Sequence, residues 1–442
     1  MSYRLNRRAA LGVVAAFGVT TGIVACGGNN HNDDFTSTGA VSNVLYVESN
    51  RLEADQNSIL AYARAADGSL TPLEGSPFLT SGKGLNNPTA AKLGPNDKDY
   101  PLLASRDKKR LFAVNSGSNT IAVFDIGDNG RLRQIEGSPF PSGGRSPVSL
   151  TIAGTRLYVV NSNGDADQLP NADAPNYTGF DIADDGKLTP IPGSTVSTVK
   201  GGYPSQVLAS NDGTLLFGLD FLAPAAQPGV GSVHAFKINS NGTLTQPAGS
   251  PYALPAGPMP PLPLGMNQHP SRNILYVGYV TRKQIGVYTF DGQTGALTFV
   301  RTVPNSGTEI CWIRPTANGA RIYTVNNIDN SVSFYDNSDP LQPVEKQHLL
   351  LKLPGPLFLN DRGPDSFMQV TSTPYEPALA PDEKFLYVVG NRANALDNSV
   401  TTGNTIHILS IAADGSLSQP AAPLVLPVPV PPATRPQGLV VF

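Results

Sequence analysis

Tyr203, Glu309, Glu376, Arg392 and Arg435 are the residues of this 442-residue chain whose types and placement suit chemistry. Each stands at the start of an apolar, strand-like run or in a loop beside one, so a fold that gathers those starts would bring them to one mouth. Carboxylates there can take up a proton, and guanidinium groups can hold an oxyanion, a carboxylate or a phosphate. Tyr203, Glu309 and Arg435 are expected to contact ligand; the plainer alternative is that they only keep a rim hydrated.

Asn161-Ser-Asn163-Gly-Asp165-Ala-Asp167, with Asp173 behind it, sets oxygen ligands at alternate positions, as hard cations such as calcium favour. The stretch lacks EF-hand spacing and its terminal Glu, and Asn/Asp-rich loops also arise because they turn well. No metal is therefore assigned, and calcium on Asn161, Asn163, Asp165 and Asp167 stands as the weaker reading. No Ser-His-Asp order, phosphate loop, metal-binding histidine pair or haem motif occurs, so no cofactor is expected. Cys311, between Ile310 and Trp312, reads as a buried, inert thiol, and His234 as a packed or surface residue.

The elements that must position these residues recur. Leu45-Tyr46-Val47, Leu111-Phe112-Ala113, Leu157-Tyr158-Val159, Leu216-Phe217-Gly218, Leu275-Tyr276-Val277, Ile322-Tyr323-Thr324 and Leu386-Tyr387-Val388 are seven copies of one run, their aromatic residues 46 to 66 apart. That is the period of a unit that must stack on its neighbours to bury its faces. Alternating runs such as Thr120-Ile-Ala-Val-Phe124 follow, then tight turns such as Asp67-Gly68, Asn129-Gly130 and Asp414-Gly415. The predicted fold is all-β, a seven-bladed β-propeller. Inner strands are expected at 100–105, 147–153, 203–210, 262–268, 309–314 and 375–380. No inner strand precedes Leu45, whereas Arg435 to Phe442 is one with nothing after it, so the C-terminal strand should join the N-terminal blade and close the ring. Turns between inner and second strands are short; long insertions fall between second and third strands or between blades. One rim therefore carries the loops and, by expectation, the site.

The first 25 residues read as an export signal: Arg4, Arg7 and Arg8 precede an uncharged stretch ending Ile23-Val24-Ala25-Cys26. Small residues before a cysteine resemble a bacterial lipobox, which makes Cys26 the lipidation site, 26–42 a flexible tether and 43–442 the propeller. The expected location is the cell envelope, lipid-anchored on the periplasmic side of the outer membrane, with twin-arginine and general secretion both open as routes. Removing residues 1–25 takes away three arginines and no acids, so the charge becomes 28 − 34 = −6. That argues against nucleic acid as a partner, since phosphate binding needs a basic face. The expected partners are the membrane, through the N-terminal lipid, and a small molecule or envelope protein, for a monomer.

Asp-Gly-Xaa-Leu-Thr-Pro…Gly-Ser-Pro-Phe, with Ala380-Pro-Asp-Glu-Lys-Phe-Leu-Tyr-Val-Val389 later, resembles the seven-bladed lactonase family of 6-phosphogluconolactonases and carboxymuconate cyclases. The resemblance covers roughly residues 43–442 and implies lactone hydrolysis. By it, Glu376, five residues before Pro381, matches a family acid, and Asn391-Arg392 matches an Asn-Arg pair displaced by one residue. The family signature is otherwise broken. His269-Pro270 is kept, but Leu264 and Gly265 stand where Arg and His belong, Tyr279 where a Glu belongs, and Pro204-Ser205 where a Pro-His belongs. His269 lies by a short turn away from the loop-rich rim, which suits a structural role. The expectation is thus a lactonase-like propeller that binds a small anionic or carbohydrate-like ligand, or a protein, at the loop-rich face. The alternative is an active lactone hydrolase using Glu376 and Arg392, and a third is a structural envelope protein without a ligand.

Overall fold

In the computed structural model the description covers residues 35–85, 98–163, 174–222, 231–257, 259–355, 358–359, 369–370, 372–392, 402–427 and 434–442. The signal segment, Cys26, Asp165, Asp167 and Asp173 lie outside them. Seven antiparallel sheets follow one another, each running from an inner to an outer strand, and a short ribbon pairs Phe358–Leu359 with Gln369–Val370. The inner strands of blades 2 to 7 are Leu102–Ala104, Pro147–Ala153, Tyr203–Ala209, Pro263–Gln268, Ile310–Pro315 and Ser372–Leu379.

Blade 1 takes its inner strand from the far end of the chain. Gln437–Val441 pairs antiparallel with Val44–Glu48, matching Tyr46 to Val440 and, past a bulge, Glu48 to Gln437. Phe442 N–H donates to Val44 O at 2.8 Å. The ring is therefore closed as the repeat count requires.

The repeated motifs have separate physical jobs. The leucine or isoleucine of every Leu-Tyr-Val run is fully buried between sheets. The tyrosine reaches the next blade: Tyr46 Oη donates to Gly130 O (2.7 Å), Tyr158 to Gly242 O (2.9 Å), Tyr323 to Gly415 O (3.0 Å) and Tyr387 to Gly68 O (2.9 Å). Each acceptor is the glycine of an Asn-Gly or Asp-Gly turn, so motif and turn are two halves of one contact. In the Gly-Ser-Pro outer segments the serine hydroxyl replaces a ladder acceptor, taking the third-strand N–H of Ala61, Val123 or Ala235 at 2.8 to 3.0 Å.

One expected boundary shifts. The tether expected over residues 26–42 ends sooner, because the propeller unit begins at Thr36. Thr36 O accepts from Asp128 N–H (2.8 Å), Thr38 N–H donates to Asp128 Oδ1 (2.8 Å), and Val41 is buried against blades 1 and 2. The polar composition of the segment hid one well-placed apolar side chain. Because the first strand is a second-position strand, the chain joins the ring on the face of the short turns, opposite the loop-rich rim.

Candidate ligand site at the channel mouth

Three residues ahead of the blade 2 inner strand cross the centre of the ring. Asp99 N–H donates to Ser205 O of blade 4 at 3.4 Å, and Tyr100 O accepts from Leu150 N–H of blade 3 at 2.9 Å. Tyr100 Oη accepts from Asn267 Nδ2 of blade 5 (2.8 Å), and Lys98 O from Trp312 Nε1 of blade 6 (2.7 Å). Arg314 of blade 6 grips the Asp99 carboxylate with both terminal nitrogens, at 2.9 and 2.5 Å, and lies over the Tyr100 ring at 4.3 Å. Lys98-Asp99-Tyr100 is thus a plug tied across the ring to blades 3, 4, 5 and 6. A positive φ of 58° at Tyr100 turns the chain from plug into strand.

Glu376 belongs to this plug. Its Oε1 accepts from Tyr100 N–H and its Oε2 from Gly438 N–H, both at 2.6 Å, and Arg314 Nη2 stands 3.5 Å away. Burial, then the charge of Asp99, pushes its carboxyl well above the ordinary range. Both oxygens are engaged by backbone donors and only 2% of the residue is exposed.

Nearer the rim, buried polar side chains stand on blades 7 and 1, those of blade 1 including Glu48, whose partner Asn57 also bonds Asn115 of blade 2. Thr373 sits opposite Asn391 in the blade 7 ladder, and Gln437 opposite Glu48 in blade 1. All four are buried. Thr373 Oγ1, both amide atoms of Asn391 and of Gln437, and Glu48 Oε2 have no hydrogen-bond partner among the described residues. The other oxygen of Glu48 accepts from Asn57 Nδ2 at 2.9 Å. Burial raises the Glu48 carboxyl to about 7 against the pull of Lys98; burial lowers the Lys98 ammonium to about 8 against the charges of Glu48 and Glu376. Lys98 Nζ donates to Ser116 Oγ at 3.0 Å. Arg392 and Arg435 are buried, next to Asn391 and two residues before Gln437 in sequence.

The other expected residues disperse. Tyr203 opens the inner strand of blade 4 and Glu309 precedes that of blade 6, its carbonyl accepting from Asn327 N–H. Asn161 is occupied within blade 3, donating to Ser142 O and Asn176 Oδ1. Among the described residues no group of three or more His, Cys, Asp or Glu is placed to hold a metal. His269 is buried in its turn, where Nδ1 accepts from Ser271 N–H. Sequence reasoning missed Glu48, Lys98, Asp99, Arg314 and Gln437. Glu48 alone left a visible signal: the same place in the other repeats holds Val114, Val160, Leu219, Gly278, Val325 and Val389.

The broken signature has a structural cause in blade 5. Gly265 has φ +73°, and a Cβ there would lie 1.8 Å from Cys311 O, so no side chain fits. Tyr279 is buried with its hydroxyl bonded to that of Tyr288.

A family model described as lactonase, seven-bladed β-propeller matches residues 143–422. The chain belongs to the seven-bladed β-propeller lactonase family. No functionally curated protein matches it. Among solved structures, a Bacteroides fragilis protein named as a 6-phosphogluconolactonase by inference is 16% identical with a TM-score of 0.61, over 87% of this chain and 95% of its own. A Bacteroides uniformis protein named likewise is 15% identical (TM-score 0.62, 90% and 100% covered). The periplasmic gluconolactonase of Pseudomonas aeruginosa is 16% identical (TM-score 0.62, 90% and 98% covered). At such identities these likenesses establish the lactonase-family fold.

Proposed function

We propose that this lactonase-family propeller binds a small anionic, polyhydroxylated ligand of the sugar-acid or sugar-lactone class at the rim-side mouth formed by blades 7, 1 and 2, as an exported protein anchored through Cys26. The observation that carries the reading is the set of buried polar atoms without partners on Thr373, Asn391, Gln437 and Glu48. Each such atom costs about 1–3 kcal/mol, which a ligand rich in hydroxyl groups recovers by hydrogen bonding. Lys98, Arg392 and Arg435 supply the charge for a carboxylate or phosphate.

A hydrolytic version of the same site is favoured by one observation. Glu48 keeps an oxygen without a partner and a carboxyl raised to about 7, as a general base needs. Glu376, the acid that the family resemblance picks out, spends both oxygens on backbone N–H groups. A panel of sugar lactones assayed with the unaltered protein, Glu48→Gln and Glu376→Gln separates the readings. The binding reading expects no turnover above the spontaneous rate. Turnover lost only in Glu48→Gln supports the hydrolytic version, and turnover lost in folded Glu376→Gln refutes both assignments.

A further inference from the structure

The chain reaches the ring on the turn-bearing face, and a basic turn lies beside that point. Thr36 and Thr38 bond Asp128 in the third-to-fourth-strand turn of blade 2, and a Cβ on Gly39 would lie 2.4 Å from Asp107 O in the inner-to-second-strand turn of the same blade. That second turn reads Ser105-Arg-Asp-Lys-Lys-Arg110. Arg106 is exposed, Lys108 and Lys109 are partly so, and none of the three forms an ion pair among the described residues. Lys108 lies over the Phe442 ring at 5.3 Å.

Apart from the exposed Asp184 across the groove, the acidic groups around them are engaged. Asp107 accepts from Ser105 Oγ and Lys109 N–H, Asp125 pairs with Arg110 and Arg133, Asp128 holds Thr38, and Asp185 pairs with Lys187. An open groove of about 840 Å³ runs from this turn to blade 3, lined by Arg106, Lys109 and Arg110 on one side and by Thr155 and Asp184 on the other.

We propose that this face is the membrane-facing side of the anchored propeller, with Arg106, Lys108 and Lys109 meeting anionic lipid headgroups and the ligand mouth turned away from the bilayer. The proposal rests on lipid attachment at Cys26. From there to Thr36 the chain spans at most about 35 Å fully extended, so it cannot pass around the ring to lower the loop-bearing rim onto the lipid. Anchored so close, a turn with three unpaired cations lies within the short range of a charged surface, where each Lys or Arg adds to attraction.

The test uses the full, lipidated chain in vesicles of phosphatidylethanolamine and phosphatidylglycerol carrying nitroxide-labelled headgroups. A fluorophore is attached at Asn129→Cys, on the turn face, or at Lys200→Cys, on the rim side; Cys311 is buried and escapes labelling. Stronger quenching at 129 than at 200 is expected, and the difference should fall severalfold in Arg106→Gln/Lys108→Asn/Lys109→Gln or when phosphatidylcholine replaces phosphatidylglycerol. Equal quenching at both positions, or stronger quenching at 200, overturns the orientation. Quenching indifferent to the triple substitution and to lipid charge overturns the role of the basic turn. Flotation with the vesicles reads the anchor separately: a chain that does not float, or a Cys26→Ser chain that floats equally well, refutes the lipid attachment and the proposal with it.

Discussion

Glu376 Oε2 accepts the backbone N–H of Gly438 at 2.6 Å, tying the blade 7 inner strand to the strand that closes blade 1. The other oxygen takes Tyr100 N–H, so one carboxylate joins ring closure to channel plug. Glu376→Gln keeps the volume but turns an amide donor toward one of two backbone donors. We expect a loss of about 2–4 kcal/mol in stability, read as a lower denaturation midpoint, with the ligand affinity of the folded protein unchanged.

The mouth should grow less cationic as pH rises. Glu48, raised to about 7, gains its negative charge through neutrality, and Lys98, lowered to about 8, loses its positive charge just above. Both changes oppose an anion, so the affinity for D-gluconate should fall between pH 6 and 9. Titrations of Glu48→Gln should lack the step near pH 7, and the Lys98 step should move below pH 8 because the charge of Glu48 no longer supports the ammonium.

His407 makes stability depend on pH in the opposite direction. Burial lowers its pKa to about 4 from the ordinary 6.5, against a hydrogen bond from Gln419. The unfolded chain then binds the proton more readily, so the contribution is complete above pH 6.5 and shrinks as pH falls toward 4. Between pH 7 and pH 5 the protein should lose about 2 kcal/mol through this residue. Denaturation of His407→Gln at both pH values should show that portion removed.

Grafting the family's Arg-His onto Leu264-Gly265 should not make a lactonase. The backbone of Cys311 occupies the space a side chain at 265 would need, so even Gly265→Ala should cost more than about 3 kcal/mol and be read as a large fall in melting temperature.

The repeat made the ring legible because burial and turn chemistry are local. The Leu-Tyr-Val runs and Asn-Gly turns appear in the sequence as separate motifs, and the hydrogen bonds from Tyr46 to Gly130 and from Tyr387 to Gly68 join them. The closing strand was legible for the same reason, since an inner strand without a successor has one place to go. The candidate site was not. The use of Glu376 is decided by N–H groups 276 and 62 residues away, and Asp99 meets Arg314 across the channel. No local pattern encodes either relation. Tyr203 and Glu309 sit at strand starts like Arg435 does, but in blades 4 and 6, so a shared position in the repeat did not mean a shared site.

Calorimetric titration with D-gluconate tests the ligand mouth most directly. Saturable heat from the unaltered protein is predicted, reduced at least tenfold in affinity by Asn391→Leu/Gln437→Leu, with the melting temperature of that variant unchanged or raised because unpartnered polar atoms have been removed. An unaltered protein that gives no heat with gluconate or with any other small sugar acid, or a double variant that binds as well as its parent, would contradict the rim-side mouth as the binding site.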